Sequence, residues 1–268
     1  MQPSVLVPSD RIRQVVVLVS LVFALVGAAV GSGAFGGTPI QKASGGALSA
    51  TATPIAPAVP AFSIWGVIYL GLAAYAVWQV LPGRAADPRQ RMLGYPVAAS
   101  LLLNAAWILS VQAGLLTLSV VVIAVLLAVL AFAFTVCVHT RGASWVEAVL
   151  IDGVIGLYLG WACVATAANI SAVLVAAGFT GWGIPADVWA VVVVAVAGVI
   201  GVALAIAGRG RIAPSLSLCW GLVWVGVARL NGEPHSVPAA TSAFIAVAIV
   251  ILATVLCRAA AVTRSHRS

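Results

Sequence analysis

Long apolar runs alternate along the chain with short breaks rich in arginine, glycine and proline. Eight of the runs approach the ~20 residues that a helix needs to cross about 30 Å of hydrocarbon. They cover residues 14–35, 62–81, 92–111, 115–138, 146–170, 188–207, 214–230 and 239–256. The last two are the shortest and imply a thin bilayer or little tilt. The pattern predicts an all-α polytopic transmembrane helix bundle of about eight helices, with short connections that make consecutive helices antiparallel neighbours. One connection differs: residues 36–60, GGTPIQKASGGALSATATPIAPAVP, have no periodic apolar face. That stretch reads as a flexible or extended outer loop, a plain linker or else a lid over the end of the bundle.

Composition supports this class and charge orients it. Of 268 residues 63% are hydrophobic and 7% charged, against roughly 25% charged in soluble domains. A net charge of +7 would suggest a nucleic-acid partner in a soluble chain, but here the basic residues lie between apolar runs and read as topology signals. With the N-terminus inside, eleven of the thirteen basic residues fall on the cytoplasmic side, at 11, 13, 84, 89, 91, 141, 209, 211, 258, 264 and 267; Lys42 and Arg229 stay outside. The expected placement is therefore multi-pass in a cytoplasmic membrane, both termini cytoplasmic, with the lipid bilayer as one partner and no nucleic acid. The first run, preceded by Arg11 and Arg13, exceeds a usual signal core and is read as a retained helix.

Candidate chemistry is sparse. Cys137, Cys163, Cys219 and Cys257 lie in apolar runs without metal-ligand spacing, and His139, His235 and His266 are scattered, so no metal site is expected. No nucleophile–base grouping, phosphate loop or paired acids within one segment offers positive evidence for an enzyme. Asp152 is the sharpest polar residue, about 9 Å into its helix at 1.5 Å per residue. It is a proton or ligand site or a structural cap, with Arg141 as a candidate partner. Trp145, Trp182, Trp189 and Trp78 read as interfacial anchors. Trp65, Trp107 and Trp161 read as walls of an outer cavity or as interhelical packing, with Asn104 on the same face as Trp107. Gly156 and Gly160 mark a close helix contact.

Three stretches, in order, resemble the translocator protein family, TspO/MBR, also called tryptophan-rich sensory proteins. Leu157 to Asn169 carries Tyr-Leu-x-Trp-x-x-x-Ala-Thr-x-x-Asn, as in the family's fifth helix. Leu101-Leu102-Leu103-Asn104-Ala105-Ala106-Trp107 is similar to the third, and Ile64-Trp65-Gly66-Val67-Ile68-Tyr69 with Tyr75-Ala76-Val77-Trp78 to the second. The resemblance implies a five-helix core over residues 1–170, with 36–60 folding over the pocket. Residues 171–268, three additional transmembrane helices and a short basic tail, then form an extension without counterpart in the five-helix proteins. It also implies a bacterial inner-membrane protein with Trp65, Tyr69, Asn104, Trp107, Tyr158, Trp161, Ala165 and Asn169 at the ligand. Porphyrin or haem is the implied ligand, no cofactor is required, and a homodimer is the implied assembly. The Tyr and Arg of a cholesterol motif are missing after Asn169. The function expected from the resemblance is binding or sensing of a flat apolar molecule, most naturally a tetrapyrrole. The alternative is a proton-coupled small-molecule transporter using Asp152.

Overall fold

The computed structural model describes residues 7–34, 37–140 and 142–265. Among them are eight helices long and apolar enough to cross a membrane, and no strand. They are α1 (Pro8–Gly31), α2 (Ile64–Trp78), α3 (Pro88–Gln112), α4 (Leu116–His139), α5 (Trp145–Ala176), α6 (Ala186–Ala207), α7 (Ile212–Asn231) and α8 (Val237–Ser265).

Helix boundaries depart from the apolar runs where polar residues find partners. α1 starts six residues before its run because its polar first turns are paired. Asp10 binds Arg13 at 3.1 Å and Arg91 at 2.7 Å, while Gln14 and Gln79 each donate to the other's carbonyl. α3 opens on Pro88, behind an Asp87 side chain that accepts from the Arg89 amide at 2.8 Å, an ordinary N-cap. The two helices expected to be short are 20 and 29 residues long. α8 extends past its run in both directions because Val237 and Pro238 suit a first turn and alanines carry the far end.

In lipid, helix association rests on packing and polar contacts rather than on hydrophobic burial. α3 packs between α1 and α4, α4 on α5, α5 on α7, and α8 against both α6 and α7; α2 lies on α1 and α5. The additional helices therefore join the bundle through the α5–α7 contact, where Gly156 and Gly160 face Ala213, Pro214 and Ser217. A Cβ on Gly160 would overlap the Pro214 carbonyl and the Ser217 hydroxyl. Val, Leu, Ile and Phe side chains left exposed on α1, α4, α6 and α8 form the lipid-facing surface. Trp145 and Trp182 are exposed, as interfacial anchors are. Trp78 is not an anchor: it is buried, with the Arg84 guanidinium 4.5 Å above its ring.

From residue 37 onward the long connection is not extended. It folds into successive turns, with a 3-10 turn at Val59–Ser63 leading into α2. Ser44 Oγ donates to the Val111 carbonyl at 2.6 Å and Gln112 Nε2 to the Thr38 carbonyl at 2.5 Å, which pins its first half across the end of α3. Polar side chains scattered without periodicity hold it by capping backbone groups, a type of contact that hydropathy does not register.

Candidate functional site

The folded loop, α1, α2, α3 and α5 enclose two adjoining cavities at the loop end of the bundle. The larger, about 310 Å³, is lined by Gly31, Pro39, Trp65, Tyr69, Trp107 and Ile108 among others. The smaller, about 40 Å³, lies between the loop and α5 and is lined by Thr53, Trp161, Val164, Ala165, Asn169 and neighbours. Ile40, Phe62 and Trp107 border both and form the partition. Among the described residues no charged side chain lines either one.

An aromatic cluster builds the shared wall. The Trp65 ring is 5.5 Å from Tyr69 and meets Tyr158 and Trp161 edge-on at 5.6 and 6.2 Å; Phe62 meets Trp161 edge-on at 5.8 Å. Centroid distances and T-shaped angles of this kind suit the ring quadrupoles and hold the indoles rigidly. Tyr158 itself is buried beneath the wall, its hydroxyl donating to the Ser100 carbonyl at 3.4 Å, and lines neither cavity.

The polar residues of the site form two pairs instead of a single patch. Asn104 does not reach Trp107; its Nδ2 donates to the Tyr69 hydroxyl. The Trp107 indole instead donates to Asn169 Oδ1 at 3.4 Å, and Asn169 Nδ2 donates to Ser119 at 3.1 Å, tying α3, α4 and α5 together. Among the buried polar atoms without a partner in the described residues, three belong to residues at or beside the site: Trp161 Nε1, Thr53 Oγ1 and Asn104 Oδ1. Trp161 and Thr53 border the same cavity, one from α5 and one from the loop. A buried hydroxyl or N–H left unpaired costs about 1–3 kcal/mol, so these donors suit a guest that brings an acceptor.

Asp152 belongs to the other end of the bundle. Its carboxylate binds the Arg89 guanidinium and, at 3.1 Å, Arg211 of the α6–α7 connection. Arg89 also binds Glu147 at 3.0 Å and the Thr140 hydroxyl at 2.9 Å. No paired acids were expected within one segment, yet Glu147 and Asp152 are such a pair in α5, and the local fold explains how one guanidinium meets two carboxylates five residues apart. At 3.6 residues per turn they would point about 140° apart, but residues Ala148–Gly153 wind as a wider π turn that swings Asp152 back toward Glu147. Arg141, the partner expected for Asp152, lies outside the described residues. The structure thus separates Asp152 from the aromatic residues and gathers Trp65, Tyr69, Trp107, Trp161, Ala165 and Asn169 around the cavities.

Sequence reasoning missed Phe62, Ile40 and Thr53 as cavity residues, and Arg89 and Arg211 as partners of Asp152. Phe62 opens an apolar run, and a bulky aromatic at a loop–helix junction was the one available signal. Thr53 sits in a repetitive Ser/Thr/Ala stretch that carries no spacing information.

No curated protein and no solved structure matches the chain. A family model described as TSPO-like protein matches residues 14–257, through all eight helices. A multi-pass bundle with an aromatic cavity under its first long connection, matched over nearly its whole length, belongs to the TSPO-like branch of the TspO/MBR family.

Proposed function

We propose that this protein binds a flat, largely apolar small molecule, a porphyrin or haem-like tetrapyrrole, at the loop end of the bundle, and that binding is its sensory or carrier role. The observation that carries the reading is the meeting of two cavities without a charged lining residue at a largely aromatic partition, with Trp161 and Thr53, whose Nε1 and Oγ1 are buried and unpartnered among the described residues, in the lining of one of them. Ligand pockets combine apolar walls with a few placed polar groups in this way, at volumes of roughly 300–1,000 Å³. The larger cavity is at the low end of that range, so a tetrapyrrole fills it edge-first. It spans both cavities only when Phe62 turns from Trp161.

The test is quenching of Trp fluorescence by protoporphyrin IX and by haemin in detergent-purified protein. Saturation is expected, weakened about tenfold or more, some 1.4 kcal/mol, by Trp161→Phe and by Ala165→Leu, which fills the smaller cavity. Absence of saturation, or quenching indifferent to both changes, overturns the reading.

Proton-coupled transport through Asp152 is the competing reading and has less support. That carboxylate is held by two guanidinium groups at the end away from the cavities, an arrangement suited to joining helices. Asp152→Asn is expected to leave porphyrin quenching unchanged; proton-dependent uptake abolished by the same change would favour transport.

A further inference from the structure

The loop that roofs the cavities is held in its second half by α7, a helix that contributes no lining residue to either one. Arg229 is fully buried, and among the described residues no carboxylate pairs with it. Its Nη2 donates to the Ala50 carbonyl at 2.7 Å and its Nη1 to the Pro234 carbonyl at 2.8 Å. Trp220 Nε1 donates to the Ala61 carbonyl at 2.9 Å, and the Ala58 amide donates to the Trp224 carbonyl at 3.1 Å. These attachments bracket the stretch that carries Thr53 and end one residue before Phe62, one of the three residues that border both cavities.

Glu233, four residues on, acts on Arg229 from beyond contact distance, and a buried cation with no carboxylate in contact depends on the carbonyl oxygens around it, since hydrogen bonds from a charged donor are stronger than neutral ones. Lifting the roof removes Ala50 from Arg229 and leaves the guanidinium short of an acceptor. The closed loop is therefore the state that gives Arg229 Nη2 its acceptor, as well as the state that covers the cavities, although Arg229 Nε and Trp224 Nε1 stay without a partner among the described residues.

We propose that Arg229, assisted by Trp220, is a positioning residue for ligand binding: α7 latches the roof and sets how fast a guest enters and leaves. The part concerning a guest rests on the binding reading above; the latch itself does not. Neither residue touches the ligand, so the effect belongs in rates of access more than in affinity.

The experiment uses the full chain in lipid nanodiscs and compares Arg229→Met, Arg229→Lys and Trp220→Phe with the parent. Backbone hydrogen exchange over residues 43–58 is expected to rise about tenfold in Arg229→Met and less in the other two, while α3 and α4 keep their protection. Stopped-flow quenching by protoporphyrin IX should then show association and dissociation accelerating together, so that Kd changes less than either rate. Trp220→Phe removes a single hydrogen bond and keeps the test valid if Arg229→Met fails to fold. Unchanged exchange in the loop of a folded variant overturns the latch, as does exchange that rises equally throughout the bundle. Faster loop exchange with no saturable quenching even in the parent chain supports the latch and removes the porphyrin reading.

Discussion

Single side chains in this bundle divide into those whose polarity is satisfied and those whose polarity is not, and the two kinds call for opposite outcomes on substitution. Arg89 joins Glu147, Asp152 and Thr140, so Arg89→Gln leaves two carboxylates near the membrane short of a partner. A loss of about 3–5 kcal/mol is expected, read as a lower unfolding midpoint in detergent. Arg211→Gln should cost clearly less, because Asp152 retains Arg89. Thr53 behaves the other way: its buried hydroxyl has no protein partner, so Thr53→Val should stabilise the empty protein by about 1 kcal/mol while weakening porphyrin binding. Loss of stability on Thr53→Val would show that the hydroxyl serves the fold and not a guest. This opposition between stability and binding is what a site kept ready for a ligand produces.

Among helices, the α5–α7 contact is the joint that makes eight helices one bundle. Gly160→Ala places a methyl against the Pro214 carbonyl and is expected to destabilise by about 1–3 kcal/mol, the cost of overpacking. Gly66→Ala on the open face of α2, where an added methyl meets nothing, should be neutral or slightly stabilising. Thermal unfolding of the two variants side by side checks the pair. The existence of every helix, and the Gly156–Gly160 contact, are legible in the apolar runs because span length and small-residue spacing are local properties, but the run under α8 falls well short of its 29 residues. The partners of Asp152 are not. They depend on a π turn that regular 3.6-residue periodicity conceals, and on Arg89 and Arg211, which in the sequence read only as charges orienting the chain. Asn104 likewise shares a helix face with Trp107, but its amide was claimed by Tyr69 from another helix.

The whole molecule has two unlike ends. At one, Asp10, Arg13, Arg91, Arg89, Glu147, Asp152 and Arg211 form ion pairs among α1, α3, α5 and the α6–α7 connection; at the other, carbonyl contacts and aromatic rings hold a folded loop. If the basic residues orient the chain as the positive-inside rule requires, the loop end faces outward. In a background with Cys257 replaced by Ala, Thr51→Cys should then react with an impermeant maleimide on intact cells, and Thr263→Cys only after permeabilisation. The reverse pattern would invert the topology and with it the side from which a guest arrives. Trp65, Tyr69, Trp107 and Trp161 were readable from three motifs, Phe62 was not, and the covering loop was expected from the resemblance, whereas its attachments were not legible, since its hold on α3 and α7 runs through backbone carbonyls that any sequence possesses.

The groove that α5 offers to α7 also has a meaning in time. α5 leaves the ribosome and enters the bilayer well before α7 is synthesised, so during that interval Gly156 and Gly160 face lipid and the roof loop has no anchor at Ala50 or Ala61. Assembly is therefore finished from the C-terminal side, and a nascent chain halted between α5 and α6 would display a cavity roofed only by the first half of the loop, the part that α3 holds.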